Sequence, residues 1–382
     1  MNVSVSHLAN KTVPFCFSIN SPPFKSNHTI PSVIFPSVFT ALGLTSNFIA
    51  FLVLLQSYKR THSRWRSSFL IFLCGLVVTD FMGLLVTGCI VISFYATQFN
   101  WRHLDPGCHF CNFMGMSMVF YGLCPLLLGA AMAVERFVGI NRPFERSASA
   151  PKSRALSMVL MVWTFAGSVA LLPLIGVGSY HLQSPGSWCF LNISSLGTDL
   201  VFSIIFSLVG LFSVAVSFVL NTVSVVTLVK VCCGQDRMQR RRDHEVEMMV
   251  QLILIMVIAS ICWCPLLVFI AQAVLSETYL QKRYLVLWIR FATWNQILDP
   301  WVYILFRRAV LKRIYPNFDW SRGSIMTLYP SFSGTLRRLT RSSLLGLSLG
   351  RDEPGGTVTT DGTPPFTLKT PPTVDGSCHS VQ

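Results

Sequence analysis

Along this chain, polar and apolar residues separate into blocks. Seven windows are apolar and nearly free of charge, and each has the length of about 20 residues that a helix needs to cross a bilayer core. They lie at 31–56, 67–94, between Asp105 and Glu135, and at 155–177, 200–229, 248–275 and 284–306. The second window contains Asp80 and the last contains Arg290 and Asp299. Buried helices of a soluble bundle rarely all reach this length. The pattern therefore predicts an all-α membrane protein, with a seven-transmembrane helix bundle over 31–306.

Charge in the connections gives the bundle a direction, because Lys and Arg collect on the cytoplasmic side. Lys59, Arg60, Arg64 and Arg66 follow the first span, and Arg136, Arg142, Arg146, Lys152 and Arg154 follow the third. Lys230, Arg237, Arg240, Arg241 and Arg242 follow the fifth, and Arg307, Arg308, Lys312 and Arg313 the seventh. The opposite side holds only Lys11, Lys25, Arg102, Lys282 and Arg283. The N-terminus is thus expected outside and the C-terminus inside, at the plasma membrane. Asn-x-Ser/Thr sequons at Asn2, Asn10, Asn27 and Asn192 all fall on the expected outer face. The first 30 residues, read as an extracellular glycosylated tail, lack a basic segment followed by an apolar run, so the first span is expected to act as the insertion signal.

Composition agrees and narrows the class. Charged residues make up 12% of the 382 and hydrophobic residues 52%, against about 25% charge in an average soluble domain. A soluble α/β enzyme, a disordered chain and a small disulfide scaffold are excluded on these grounds. The net charge of +14 suggests a polyanion partner, but the basic residues border the spans instead of forming one exposed face, which argues against nucleic acid. A transporter would show inverted repeats, and seven spans do not divide evenly. Residues 307–315 read as a juxtamembrane amphipathic helix. The Ser-, Thr-, Gly- and Pro-rich stretch 316–382 reads as a disordered cytoplasmic tail open to phosphorylation.

Four of the 12 Cys lie on the expected outer face: Cys16, Cys108, Cys111 and Cys189. An even number there suggests two disulfides, and spacing leaves three connectivities open. Cys232 and Cys233 read equally as a palmitoylation site and as a plain thiol pair. No Cys/His set has zinc-ligand spacing, so no metal and no cofactor is expected.

Ionisable groups inside spans are costly and therefore informative. Asn47, Asp80, Asn295 and Asp299 are placed to meet in the bundle interior, either as an ion or water site or as a packing network. Arg290 stands about 15 Å outward of Pro300. Spans three to six hold no Asp or Glu. A planar, always-charged guanidinium there suits an anionic ligand; the bland alternative is snorkelling to the outer headgroups. Pro125, Pro173, Pro265 and Pro300 are expected to kink their helices. Trp263, two residues before Pro265, is placed either to couple pocket contents to helix tilt or simply to pack.

Together these features resemble the rhodopsin-like G-protein-coupled receptors. Asn47, Asp80, Glu135-Arg136-Phe137, Trp163, Cys262-Trp263-Cys264-Pro265 and Asp299-Pro300-Trp301-Val302-Tyr303 match that family's motifs helix by helix. Cys111 has the family spacing from Arg136 for the cysteine bonded to the second outer loop, which implies Cys111–Cys189 and leaves Cys16–Cys108. Several details resemble the prostanoid receptors within that family: Glu and Phe around Arg136, Asp at 299, no proline in the fifth span, the run Gly186-Ser187-Trp188-Cys189-Phe190, and Arg290.

The resemblance implies a receptor, not an enzyme, for a lipid with one carboxylate. Arg290 would clamp that carboxylate with Ser187, Trp188 and Thr87, and Met118, Ser207 and Trp263 would line the deeper pocket. The loop around Trp188 would cap the site and leave the membrane lipid as the route of access. Glu135, Arg136, Glu245, Asp299, Pro300 and Tyr303 would form the switch to a heterotrimeric G protein. Receptor kinases and arrestin would act on the tail.

Overall fold

The computed structural model describes residues 16, 33–60, 64–141, 151–183, 186–194, 197–232, 239–275 and 282–305. All lie within Met1–Phe318, the first of two units into which the chain divides; nothing of the second, Asp319–Gln382, is among them. The expected juxtamembrane helix, the tail, Asn2, Asn10, Asn27 and Cys233 lie outside the described residues.

Among the described residues, seven long helices form the bundle: α1 (Ile34–Arg60), α2 (Arg64–Thr97), α4 (His109–Asn141), α5 (Pro151–Leu171), α6 (Gly197–Cys232), α7 (Gln239–Leu275) and α8 (Lys282–Leu305). A four-residue helix, α3 (Trp101–Leu104), joins α2 to α4. α2 and α6 run past both ends of their apolar windows, α1 and α4 past the C-terminal end and α7 past the N-terminal end. The polar residues flanking those windows continue the same helices beyond the apolar core.

Six of the seven are long and apolar enough to cross a membrane by length and composition. The seventh, α8, falls short because it carries Lys282, Arg283, Arg290 and Asp299 in its 24 residues. Outward faces are apolar: Phe165 on α5 and Phe212 on α6 are exposed, and only 28% of the apolar window of α5 is buried. Such a surface suits lipid and not water.

Pro173 does not kink the fourth span as expected; it ends it. The chain leaves α5 through a 3-10 turn, Leu172–Ile175, closed by Gly176 at φ +92° with its N–H directed to the turn carbonyls. The left-handed conformation at Gly176 is the usual stop for a helix. Pro125, Pro265 and Pro300 remain inside α4, α7 and α8.

The segment expected as a plain loop after the fourth span is a β-hairpin. β1 (Tyr180–Gln183) pairs antiparallel with β2 (Trp188–Leu191), with Tyr180 opposite Leu191 and Gln183 opposite Trp188. All four β2 residues are buried. The hairpin is therefore sunk into one end of the bundle against α4, not laid over it. That end is called the hairpin end below.

α4 is the central helix and packs on α2, α5, α6 and both strands. Glycines at 115, 122 and 129 recur every seven residues, so they share one face of α4. Two of them admit a ring at close range. A Cβ at Gly115 would collide with the Tyr180 ring, and one at Gly122 would come within 2.8 Å of the Trp263 ring, while one at Gly129 would meet Ser217 of α6 only at an ordinary contact distance of 3.9 Å. Gly115→Ala is accordingly expected to cost about 1–3 kcal/mol through overpacking. Thermal melting of the purified protein in detergent checks this, and an unchanged midpoint would refute it.

Candidate ligand site and switch region

The hairpin end carries two bridges, of which one holds the hairpin. Cys189 of β2 is bonded to Cys111 of α4, and Cys16 to Cys108. Asp105 caps α4, its carboxylate accepting the Cys111 N–H at 2.8 Å. The Tyr180 hydroxyl donates to the Ala170 carbonyl at 2.7 Å, and burial pushes its pKa up, so it stays a donor. Asp199, in the first turn of α6, holds both hairpin ends: it accepts from Ser179 at 2.8 Å and from the Asn192 amide at 2.7 Å. The same Asn192 nitrogen is the atom to which a glycan would attach. A carboxylate in a first turn also sits well against the helix dipole.

The expected ligand residues divide into two sets. Trp188, Met118 and Trp263 belong to or pack on one apolar cluster built from α4, α6, α7 and the hairpin. Ser187, in the hairpin turn just before β2, is buried and receives the Tyr95 hydroxyl of α2 at 3.3 Å. Ser207 is fully buried on α6, and its hydroxyl has no hydrogen-bond partner among the described residues. It is a polar group inside an apolar wall, the kind of contact that orients a ligand.

Thr87 is half-buried and its hydroxyl is turned back onto the Gly83 carbonyl at 2.6 Å. Arg290 is exposed on α8, although Ile289 and Ala292 beside it join the apolar cluster. The structure thus assembles the apolar part of the expected pocket and leaves the cation accessible.

The polar residues meet deeper in the bundle. Asn47 donates to the Gly43 carbonyl at 3.0 Å and across to the Gln296 carbonyl at 2.8 Å, pinning α1 to α8. Asn295 donates to Asp299 at 2.9 Å. Asp80 and Asp299 are both fully buried in the bundle interior. Two carboxylates so placed require a compensating proton or cation. Beside Asp299 is a cavity of about 20 Å³, lined among others by Ser217, Asn221, Met256 and Asn295, room for about one water or small ion.

At the end opposite the hairpin, Glu135 and Arg136 are buried, with Arg136 Nη2 3.9 Å from Glu135 Oε2. Tyr303 is buried one turn past Asp299. Glu245 lies on α7, but its side chain is outside the described residues.

Sequence reasoning missed Asp199, Tyr95, Asp105 and the three α4 glycines. The glycines did leave a signal, a seven-residue repeat of the smallest side chain along one helix. The others are single polar residues whose partners are distant in sequence.

The pattern of the 7 transmembrane receptor (rhodopsin family) matches residues 47–303. This chain belongs to the rhodopsin family of seven-transmembrane receptors, which are not enzymes. It is 53% identical to the thromboxane A2 receptor of Bos taurus, over 83% of this chain and 95% of that one. It is 51% identical to the thromboxane A2 receptor of Homo sapiens over the same shares. Similarity to the prostaglandin F2-alpha receptor of Homo sapiens is lower, 39% over 74% of this chain and 80% of that one. The crystal structure of squid rhodopsin shares the fold, with a TM-score of 0.60 at 20% identity over 77% of this chain and 85% of that one.

Proposed function

We propose that this chain is a receptor for thromboxane A2, which enters from the lipid, lodges its apolar body against Met118, Ser207 and Trp263, and presents its carboxylate to Arg290 with Ser187, Trp188 and Thr87 nearby. The observation that carries this reading is the identity of about half of the aligned residues to thromboxane A2 receptors, over 83% of this chain. The N-terminus is outside, and Asn2, Asn10, Asn27 and Asn192 are the glycosylation acceptors.

Activation is a shift between two bundle states. The agonist must bind the active state more tightly, or no equilibrium moves. Contacts of Arg136 with Glu135 and with Glu245 at the foot of α7 hold the resting state, while Asp299, Pro300 and Tyr303 relay the change along α8. Release of these contacts exposes a cleft for a Gq-type G protein, which drives phospholipase C and calcium release. Coupling to a G protein of the 12/13 type acts on Rho. The tail, phosphorylated by receptor kinases, recruits arrestin.

The test is a calcium-response panel in cells expressing the chain. It sets a stable thromboxane mimic against prostaglandins E2, F2-alpha and H2 and a prostacyclin analogue. The thromboxane mimic is expected to act at concentrations at least about tenfold below the others, a difference of 1.4 kcal/mol in ligand preference. A lower effective concentration for any other prostanoid reassigns the ligand. Uptake of labelled prostanoid without nucleotide exchange would make the chain a transporter.

A further inference from the structure

Two neighbouring residues of α2 lie against the two neighbouring residues of the switch on α4. The Ser68 hydroxyl donates to Glu135 Oε1. The Arg136 guanidinium lies over the Phe69 ring, 4.8 Å from its centroid. All four side chains are buried, with relative exposures of 0% for Ser68, 2% for Phe69, 3% for Glu135 and 7% for Arg136.

By contrast, the Glu135–Arg136 ion pair is long at 3.9 Å, whereas charge-assisted N–H···O bonds run to about 2.7–2.9 Å. Successive residues of a helix point about 100° apart, so they do not face each other. The acid and the base of the switch therefore hold each other weakly, and α2 supplies each with a separate restraint.

We infer that Ser68 and Phe69 form a clamp that fixes the resting position of Glu135 and Arg136. The inference rests on the reading above that this end of the bundle couples to a G protein. Three features support a clamp over incidental contact. First, the pairing is in register: residues i and i+1 of one helix meet residues i and i+1 of the other, so a single rigid-body movement of α4 against α2 breaks both contacts together. Second, the Phe69 ring is itself immobilised. It belongs to the apolar cluster that includes Leu73, Leu128, Val302 and Tyr303, so the π face is set in place before the cation arrives. Third, 4.8 Å lies inside the distance of about 6 Å at which a ring face attracts a guanidinium, and burial strengthens that attraction.

The clamp is also suited to release. A ring face offers no hydrogen-bond acceptor. A G-protein segment that presents backbone carbonyls or a carboxylate gives Arg136 directional partners that Phe69 cannot. Ser68 and Phe69 are thus positioning residues that set how often Arg136 leaves its resting place without agonist.

The experiment measures agonist-independent nucleotide exchange on a purified heterotrimeric G protein. The full chain is reconstituted in lipid nanodiscs and normalised to antagonist-binding sites. Phe69→Leu keeps the volume class but removes the π face, and Ser68→Ala removes the donor. Each is expected to raise basal exchange about three- to tenfold, the scale of one desolvated cation–π contact or charged hydrogen bond. Phe69→Tyr and Ser68→Thr keep the face and the donor and are expected to stay near the wild-type rate. Antagonist affinity is expected to be unchanged in all four.

Wild-type basal rates in both Phe69→Leu and Ser68→Ala would overturn the clamp. So would an equal rise in the two conservative variants, which would mark a packing disturbance. If Phe69→Leu binds no antagonist, Ser68→Ala against Ser68→Thr decides alone. Failure of the wild-type chain to respond to agonist would count against the function proposed above, and the clamp would fall with it. A responsive wild type with unmoved variants sinks the clamp only.

Discussion

Arg290→Ala is expected to weaken binding of acidic prostanoids by about tenfold to a hundredfold at normal surface expression, the equivalent of one charge-assisted hydrogen-bonded contact of about 1.5–3 kcal/mol. Arg290 is exposed on α8 while its neighbours Ile289 and Ala292 join the apolar cluster that contains Trp188 and Trp263. A carboxylate that lodges its apolar body in that cluster can reach a cation at its edge. Arg290→Lys keeps the charge but loses the planar fork, so an intermediate loss is expected. The methyl ester of the same ligand sharpens the test. It should bind the wild type more weakly than the acid, yet bind Arg290→Ala about as well as the acid does. Such non-additivity isolates the charge pair. If Arg290 instead snorkels to headgroups, saturation binding of a radiolabelled acidic antagonist will give wild-type affinity for both variants, and the clamp on the carboxylate is then wrong.

The seven helices were legible because each announces itself over twenty or more residues, and a signal that long survives local exceptions. α8 is the instructive member. It fails a plain test of apolarity because it carries Arg290 and Asp299, and those same residues made it conspicuous in the sequence. The hairpin was illegible for the opposite reason. A strand pair with one wet face alternates polar and apolar residues, but β2 is apolar and buried throughout, and the alternation in Tyr180–Gln183 spans only four residues.

The site was legible wherever a residue is out of place in its surroundings. Asp80, Asp299 and Arg290 are ionisable groups inside apolar runs, and Trp263 stands beside a proline. Residues whose importance comes from their partner stayed hidden. Phe69 is one phenylalanine among 29, and only its position under Arg136 distinguishes it. Asp199 looks like an ordinary acid at a helix start until Ser179 and Asn192 are seen to converge on it. Pro173 was visible, but whether a proline bends a helix or ends it depends on the residues after it. Here Gly176 supplies the left-handed stop.

Loss of the Cys111–Cys189 bridge is expected to abolish ligand binding at the cell surface. The bridge closes a 78-residue separation, and removing a native disulfide of this kind costs about 2–5 kcal/mol in small secreted domains. In a bundle whose helices are held by lipid, most of that cost falls on the lid. Cys189 is the second residue of β2, between Trp188 and Phe190, and both bridged cysteines are fully buried. Without the covalent tie, β2 depends on its pairing with β1 and on the clasp at Asp199, while Ser187 and Trp188 lose their fixed position over the cluster. Cys111→Ser and Cys189→Ser also leave a hydroxyl at a fully buried position, and the remaining thiol is free to exchange with Cys16 or Cys108. The double variant Cys111→Ala/Cys189→Ala removes that complication and is expected to lose binding as well, by at least about tenfold, which corresponds to 1.4 kcal/mol. The Cys16–Cys108 bridge ties residue 16 to the start of α4 and not to the lid, so Cys16→Ala/Cys108→Ala is expected to cost less. Antagonist binding to intact cells, with surface amount measured by an N-terminal epitope, separates lost affinity from lost export. Wild-type affinity in the Cys111→Ala/Cys189→Ala variant at normal surface amount would show that the hairpin holds its place without the bridge.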